Sequence, residues 1–257
     1  MDVVKIDIAT KEAQKIRDIV AEEKPMDIFL NRKHYATIFC SPQNLKELAI
    51  GHLLSEGILE SIEEIETVNF RDEGVCQVKL KPAVDLEKRL KLSKHYSRII
   101  LSACGSQTPY RSSRRLPRIK SDLRVKAEVI LECVNRLNFV AETFRKTGGV
   151  HVAAIYEGNG KLAAFAEDIG RHNAIDKVVG LGALNSVNFT KCFLTSSGRL
   201  TGDIVFKALT IGVPIVASLA AAIDSGITLA KEGDLTLVGF VRGKRMNVYN
   251  GAQRVIF

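Results

Sequence analysis

Cys104 is the residue of this sequence with the clearest potential for covalent chemistry, because of the segment that surrounds it. That segment, LSACGSQTPYRSSRR at 101–115, contains one glycine, one proline, four serines and three arginines. It overlaps the short apolar run Ile99–Leu101, and no hydrophobic periodicity resumes until about Leu123. The composition predicts an exposed loop, and nearby guanidinium groups favour thiolate over thiol. Cys104 is therefore a candidate nucleophile, and the alternative is an ordinary surface cysteine in a disordered linker.

The other four cysteines show neither a disulfide framework nor the spacing of a metal site. Cys40, Cys76, Cys133 and Cys192 are scattered along the chain, so a reducing cytoplasm fits the sequence best. Cys40, Cys133 and Cys192 fall in segments with apolar periodicity, where we expect buried thiols. The longest apolar stretch, 211–223, is too short for a bilayer-spanning helix, which needs about 20 residues. The N-terminal residues also lack the features of a signal peptide, so the sequence predicts no membrane association.

The charge of the chain indicates an anionic partner. The formal net charge is +8 and the sequence pI is near 9.3, with the positive charge concentrated at 111–126 and 242–254. Nucleic acid is the generic candidate, but there is no tryptophan, aromatic residues are few and no nucleic-acid-binding signature is recognisable. A small molecule with several phosphates would satisfy the same charge, so we do not expect nucleic acid.

The first hundred residues have the pattern of strands around one helix. Apolar runs bounded by turn residues predict strands at 26–30, 35–39, 65–70 and 75–80. Ser41 and Pro42 predict the start of a helix, and its apolar stripe runs to Gly57. His52 lies on that stripe, which indicates a packed residue at the edge of the core.

Beyond a basic loop at 103–122, helices and strands alternate. Helices are predicted at 125–144, 169–181, 201–211 and 224–231. Strands are predicted at 151–156, 161–166, 192–195, 213–217, 235–241 and 245–249. This alternation predicts an α/β sandwich with a mixed sheet. We therefore divide the chain into an N-terminal α+β lobe at 1–102, the basic loop, and a C-terminal α/β lobe at 123–257.

Three segments of the C-terminal lobe hold polar residues that composition does not explain. FRKTGGVHVAAIY at 144–156 places two glycines before a histidine at a strand start. AEDIGRHNAIDKVVG at 166–180 crowds acids, Arg171 and His172 at a helix start, where capping and surface ion pairs at i,i+4 spacing are the simplest interpretation. TSSGRLTGD at 195–203 offers backbone N–H groups at a positive helix terminus, which is a potential anion site.

Together these segments resemble the formate dehydrogenase accessory family, the FdhD/NarQ sulfur carriers. TGGVHVAA, EDIGRHNAIDKVVG, SSGRLTGD and TLVGFVRGKRMNVYN match the family signatures in order, and the resemblance covers most of the chain. It implies a cytidine deaminase-like α/β sandwich with a mixed sheet in the C-terminal lobe and a smaller, strand-rich N-terminal lobe. It also implies a homodimer.

The resemblance implies a role for Cys104. Family members take sulfur from a cysteine desulfurase and pass it to the molybdenum or tungsten bis(molybdopterin guanine dinucleotide) cofactor of formate dehydrogenase. The sulfur travels as a persulfide on a loop cysteine, a position that Cys104 matches in SACGS. The implied partners are thus a cysteine desulfurase and formate dehydrogenase or a related molybdenum or tungsten enzyme.

The family also has a cofactor-binding stretch near the C-terminus. The matching residues of this chain are Phe240, Val241, Arg242, Gly243, Lys244 and Arg245. Gly243 allows close approach of the backbone, and the three basic side chains can pair with phosphates. A basic turn between the last two strands is the structural alternative, and both descriptions can hold.

A zinc hydrolase is a rival hypothesis, because deaminases of similar fold carry a zinc site. That site needs an H-x-E motif and a P-C-x-x-C pair. In this chain Ala153 stands where the glutamate would be, and no C-x-x-C is present. We therefore predict no metal site and no stoichiometric zinc, which elemental analysis checks.

Two departures from the family pattern leave a second hypothesis open. Gln107 stands where the family usually has a second cysteine, so a disulfide or a sulfur relay between two loop thiols is impossible. Residues 220–223 replace a motif that commonly reads SAPT, which could alter the cofactor pocket. The alternative to a sulfurtransferase is a non-catalytic protein that binds or delivers the cofactor. Acceptance of sulfane sulfur by Cys104 discriminates the two.

Overall fold

The computed structural model describes residues 1–72, 74–93, 98–100 and 116–257, and these form a mixed α/β structure. Within these ranges, the N-terminal part has a two-stranded hairpin and a five-stranded sheet of order β5-β6-β3-β4-β7. The strands are β1 (Asp2–Asp7), β2 (Glu12–Arg17), β3 (Lys24–Leu30), β4 (Lys33–Cys40), β5 (Ile65–Phe70), β6 (Val75–Leu80) and β7 (Arg98–Ile100). The helices are α1 (Leu45–Ser55), α2 (Leu86–Ser93) and a 3₁₀ helix at Ile62–Glu64.

The predicted hairpin is present as the antiparallel strands β3 and β4, which are joined by a tight turn at Asn31 and Arg32. Asn31 and Arg32 both adopt positive φ angles, 46° and 71°. Two such residues match the right-handed twist of the flanking strands. Alternate residues of β3, from Met26 to Leu30, are at most 1% exposed and face the core.

The predicted start of α1 at Ser41 is wrong, because Ser41 has other partners. The helix begins at Leu45, and the residue before it is Asn44 in the left-handed region. Ser41 N donates to Asp168 Oδ2 at 3.0 Å, and Ser41 Oγ accepts from Ile169 N at 3.1 Å. The residue that resembled a helix cap therefore binds a segment more than a hundred residues away.

Residues 116–257 contain a six-stranded mixed sheet of order β10-β9-β11-β12-β13-β14 and a parallel pair of β8 with β15. The strands are β8 (Val125–Lys126), β9 (His151–Glu157), β10 (Leu162–Asp168), β11 (Cys192–Ser196), β12 (Ile215–Ser218), β13 (Thr236–Arg242), β14 (Arg245–Asn250) and β15 (Val255–Ile256). The helices are α3 (Ala127–Val140), α4 (Glu142–Thr147), α5 (Arg171–Leu184), α6 (Gly202–Ile211) and α7 (Asp224–Glu232), with 3₁₀ turns at Phe189–Lys191 and Ala252–Arg254. The α/β class is confirmed, while the closer likeness to cytidine deaminases stays a prediction.

The six-stranded sheet has an apolar layer on each face. Phe193 and Ile215 pack in the cluster that contains α3, whereas Leu194 and Val216 pack with α5 and α6 on the opposite face. The apolar cluster that contains Leu194 and Val216 also includes side chains of the N-terminal sheet and of α1, so it forms one continuous core. The predicted boundary at 103–122 lies mostly outside the described residues, and the division into lobes stays a prediction.

Helix α1 of the N-terminal part packs directly on α5 through two glycines. A Cβ at Gly51 would lie 1.7 Å from Asp176 O, and one at Gly180 would lie 1.9 Å from Glu47 O. Any side chain there would force the helices apart. This close contact holds the N-terminal part against the helix that carries Arg171 and His172.

Candidate functional site

The ends of five strands meet at one edge of the six-stranded sheet. Strands β11, β12 and β13 are parallel, so their carboxyl ends lie together. Strand β9 is antiparallel to β11, which places its first residue, His151, at the same edge, and Asp168 at the end of β10 pairs with His151. We call this region the carboxyl edge; its residues are His151, 168–172, 196–203, 218–224 and 240–245. The topology thus brings together the three unexplained segments and the predicted cofactor-binding stretch.

Hydrogen bonds hold the loops of the carboxyl edge to one another. Ser218 Oγ lies 2.8 Å from Ser196 O and 2.7 Å from Gly198 O, and it accepts from Ala220 N. Phe240 N donates to Ala220 O at 2.9 Å. Leu200 N donates to Ala221 O, also at 2.9 Å. The loops after three neighbouring strands are therefore fixed as a unit.

His151 and Arg171 meet the loop after β11. Ser197 Oγ accepts from Val152 N at 3.0 Å and lies 3.2 Å from His151 Nδ1. Arg171 packs against Gly198, where an added Cβ would lie 2.8 Å from Arg171 Cβ. Burial lowers the pKa of His151, and the positive charge of Arg171 lowers it further. His151 therefore serves as a neutral donor or acceptor beside a guanidinium group.

His172 is buried beneath the same edge. Its side chain is 8% exposed, and its Nε2 lies 3.9 Å from Asp203 Oδ2 in the first turn of α6. Among the residues that the structure describes, this Nε2 has no hydrogen-bond partner. Burial, followed by the charges of Lys207 and Arg171, lowers the pKa of His172 to about 3. The imidazole is thus neutral at physiological pH.

Asp168 forms one buried polar cluster under the carboxyl edge. Its carboxylate pairs with Lys177 Nζ at 2.7 Å and accepts from Gly170 N and Asn173 Nδ2. Lys177 also donates to Ser41 O at 3.0 Å. Both members of the ion pair are fully buried, so the interpretation of this motif as a surface network is wrong.

A second buried cluster surrounds Asp176 at the junction of α1, α5 and α6. Asp176 Oδ2 lies 2.9 Å from His52 Nδ1, and its Oδ1 accepts from Ser55 Oγ at 2.6 Å and from Lys207 Nζ at 2.9 Å. Lys207 also pairs with Glu56 at 2.7 Å. Burial alone would raise the pKa of Asp176, but the charge of Lys207 and the hydrogen bonds with His52 and Ser55 together outweigh burial, so the pKa is lowered. His52 is a core residue, as predicted, and its ring also bonds Asp176.

The stretch 240–245 forms a tight hairpin that projects its basic groups. Gly243, with φ of 63° and no atom within 4 Å of an added Cβ, forms the turn between β13 and β14. Arg242, Lys244 and Arg245 are exposed, and the Arg242 guanidinium lies 5.2 Å from the Phe240 ring centre. Val241 is fully buried, so it offers no exposed group at the edge.

Cys104 lies outside the described residues, as does Gln107. The other four cysteines are free and buried. Burial raises the pKa of Cys40 and Cys76 to about 12 and that of Cys133 and Cys192 to about 11. The predicted burial of Cys40, Cys133 and Cys192 is confirmed.

Alkylation of the native protein is expected to label Cys104 first. The four buried thiols are protonated at neutral pH and shielded from solvent, whereas the reactive form of cysteine is an accessible thiolate. Brief treatment with iodoacetamide followed by peptide mapping measures the order of labelling. Equal labelling of all five cysteines, or preferential labelling of a buried one, would contradict the expectation.

No group of three or more His, Cys, Asp or Glu side chains is placed to hold a metal ion within the described ranges. Among the helices that the structure describes, none is both long and apolar enough to span a membrane.

Sequence reasoning missed several polar residues that the fold brings together. Ser55, Thr201, Asp203 and Lys207 were assigned no role, although Thr201 and Asp203 belong to the SSGRLTGD motif. Thr201 and Asp203 could have been found from the sequence, because they lie at the predicted helix start that we interpret as a potential anion site. Ser55 and Lys207 lie within apolar stripes, and only the packing of α1 on α5 and α6 explains them.

The FdhD/NarQ family model matches residues 21–256 of this chain. A sulfur carrier protein FdhD from Saccharolobus solfataricus is 35% identical over 252 residues, which is 96% of this chain and 95% of the relative. Another from Methanothermobacter thermautotrophicus is 36% identical over 245 residues, 95% and 94% of the two chains. A crystal structure described as a formate dehydrogenase accessory protein from Desulfotalea psychrophila is similar with a TM-score of 0.79 and 26% identity, covering 100% of this chain and 98% of that one.

Proposed function

This chain belongs to the FdhD/NarQ family, and on that premise we propose that it is a sulfur carrier in the maturation of formate dehydrogenase or a related enzyme. Cys104 accepts sulfane sulfur from a cysteine desulfurase and holds it as a persulfide. The sulfur then passes to a molybdenum or tungsten bis(molybdopterin guanine dinucleotide) substrate. The basic hairpin at 240–245 binds the phosphates of that substrate.

The main support for this proposal is that the other four cysteines are buried and have raised pKa values. Sulfur acceptance requires a thiol that a desulfurase can reach and that ionises readily. The four described cysteines are buried and their pKa values are raised, so none of them meets this requirement. Cys104 is the remaining cysteine of the chain, and the sequence that follows it is rich in arginine.

The accepting step is a thiol–persulfide exchange. The Cys104 thiolate attacks the terminal sulfane sulfur of the desulfurase persulfide, so an S–S bond forms at Cys104 while that of the donor breaks. The electron pair of the broken bond stays on the donor cysteine as a thiolate. The step needs no external oxidant or reductant. It also needs only one cysteine on the carrier, which is compatible with Gln107 in the second position.

The carboxyl edge has the charge that a substrate with several phosphates requires. Arg242, Lys244 and Arg245 are exposed on the hairpin, and Arg199 adds a further cation in the loop after β11. Guanidinium groups bind phosphate through paired, charge-assisted hydrogen bonds. Because α5, α6 and α7 all begin at this edge, their positive ends add to the field.

Mass spectrometry of the intact protein tests sulfur acceptance. After incubation with a cysteine desulfurase and cysteine, the wild type should gain the mass of one sulfur atom and lose it on treatment with dithiothreitol. The Cys192→Ala variant is a matched control and should gain the same mass. Wild type that gains no sulfur but still binds GDP would contradict the proposal and support the non-catalytic binding protein instead.

The arginines of the hairpin should contribute separately to binding of guanine nucleotides. Each of Arg242→Ala and Arg245→Ala should weaken GDP by about ten-fold or more, because a charge-assisted hydrogen bond contributes about 1.5–3 kcal/mol. Isothermal titration calorimetry at fixed salt measures the change. Arg136→Ala, which removes an exposed guanidinium from α3, is the control and should bind GDP like the wild type. Wild-type affinity in both hairpin variants would exclude this stretch from the site.

A further inference from the structure

A groove lies at the end of the six-stranded sheet that is opposite the carboxyl edge. Its volume is about 710 Å³, and it is bordered by the segment after α1, the end of α5, the 3₁₀ turn before β11 and the end of α6. We call it the amino-end groove; its lining residues lie within 54–63, 183–189 and 210–211, together with Pro117. Strand β11, which is five residues or about 17 Å long, separates the amino-end groove from the carboxyl edge.

The walls of the amino-end groove carry apolar side chains that the core covers only in part. Four of them pack against the core yet stay half-buried, namely Ile62, Val187, Phe189 and Ile211. Leu59 also lines the groove and is 2% exposed. Binding sites in proteins are commonly concave regions of this volume with mostly apolar walls. The groove therefore offers a surface to the apolar side chains of a partner.

The charged residues that line the amino-end groove are acidic, although the net charge of the chain is +8. The side chain of Glu60 is 69% exposed. Glu63 is also exposed, and a hydrogen bond with Ser61 lowers its pKa, so its carboxylate is ionised at neutral pH. Within the described part of the chain, no lysine or arginine lines this groove. A ligand with several phosphates is repelled here, whereas lysine or arginine side chains beside an apolar segment are attracted.

The amino-end groove also borders the part of the chain that follows the cysteine-bearing segment 101–115. Pro117 lines the groove, and two residues later Ile119 N donates to Gly233 O at 2.8 Å. Ile119 is 6% exposed and belongs to the core, so this part of the chain is fixed. Cys104 precedes Pro117 by thirteen residues in the sequence. A protein bound in the groove therefore lies beside one end of the segment that carries Cys104.

From these features we propose that the amino-end groove is the docking surface for the cysteine desulfurase. The occupant is a segment of that enzyme in which lysine or arginine residues flank apolar side chains. This inference rests on the proposed function, which requires a sulfur donor and an acceptor with several phosphates. The charge of the acceptor suits the basic hairpin at 240–245 and not an acidic groove, so the groove suits the donor. Donor and acceptor then bind at opposite ends of the six-stranded sheet.

The rate of sulfur acceptance at increasing concentrations of desulfurase tests the proposal, with the mass of the intact protein as the readout. Val187→Arg, and a double variant with Glu60→Lys and Glu63→Lys, should each raise the half-saturating desulfurase concentration about ten-fold or more, because a few central residues dominate the affinity of an interface. The maximal rate should change by less than about two-fold, since these variants remove binding and leave Cys104 intact.

Matched controls separate docking from an effect on folding or on the thiol. Leu162→Arg and Glu128→Lys make changes of the same kind at exposed positions of β10 and α3, and both should behave like the wild type. Cysteine persulfide, a small sulfur donor that needs no docking surface, should load every variant at the wild-type rate. The affinity for GDP should also be unchanged. Slower loading of the groove variants by cysteine persulfide would contradict a role in docking.

The outcomes distinguish this inference from the proposed function. If wild type gains sulfur and both groove variants show its half-saturating concentration, only the inference is overturned. If wild type gains no sulfur from the desulfurase, the proposed function itself fails. A lower half-saturating concentration in the groove variants would indicate that a basic segment of this chain competes for the groove. Normal sulfur acceptance with loss of binding to the client enzyme would assign the groove to that enzyme. Either of these last two results would overturn docking of the desulfurase.

Discussion

Replacing Cys104 with alanine is expected to abolish sulfur transfer while leaving the affinity for GDP unchanged. In the proposed mechanism this thiol holds the sulfane sulfur, and none of the four described cysteines has an accessible thiolate to replace it. In the same mechanism the nucleotide contacts groups at the carboxyl edge and not the thiol. The measurement pairs the activity of a client formate dehydrogenase matured with each variant with calorimetric titration of GDP.

The matched control for this prediction is Cys192→Ala, which removes a buried thiol of β11. It should retain both sulfur transfer and GDP binding. Normal maturation by Cys104→Ala would exclude the persulfide mechanism. Loss of GDP binding together with activity would place Cys104 in the nucleotide site, which contradicts the separation of the two roles.

Lys207→Met is expected to lower the free energy of unfolding by about 3–5 kcal/mol, because it leaves the carboxylate of Asp176 buried without its main counter-charge. Lys79→Met removes a lysine of similar pairing distance, 2.7 Å from Glu66, but its side chain is 63% exposed. That control should cost no more than about 1 kcal/mol. Equilibrium unfolding in urea measures both values. A loss in Lys207→Met no greater than in Lys79→Met would show that the buried cluster does not hold α1 against α5 and α6.

The architecture of the carboxyl edge was predictable from the order of elements. One predicted strand runs directly into SSGRLTGD, and another runs directly into the hairpin at 240–245. If those two strands are parallel, both segments lie at the same edge of the sheet. Local patterns of apolar residues were sufficient to locate those strands, because each is buried on at least one face. Arg242 and Arg245 are candidate site residues because of the family resemblance and not because of the apolar pattern.

The polar clusters were not predictable, because their partners are distant in the sequence. The spacing of His172 with Asp176 suggested a pair within one helix. In the structure Asp176 instead bonds His52, 124 residues away, on α1. Nothing in the local pattern shows that α1 packs on α5, since the responsible feature is the fit of Gly51 and Gly180 against backbone atoms.

Two residues of capping type illustrate the same limit. Ser41 has the sequence context of a helix cap, but its backbone and hydroxyl bind the Asp168 segment, so the helix starts four residues later. Thr201 is a helix cap by position, yet its hydroxyl makes no capping bond. Ser41 lies at the junction between the two parts of the chain, and Thr201 lies at the carboxyl edge. Tertiary contacts there compete with local preference.

Locating the sulfane sulfur tests the central claim most directly. The protein is loaded by a cysteine desulfurase, its persulfide is trapped by alkylation, and the peptides are mapped by mass spectrometry. The extra sulfur should be found on the peptide that contains Cys104. Sulfur on a peptide that contains Cys40, Cys76, Cys133 or Cys192, with Cys104 unmodified, would contradict the account.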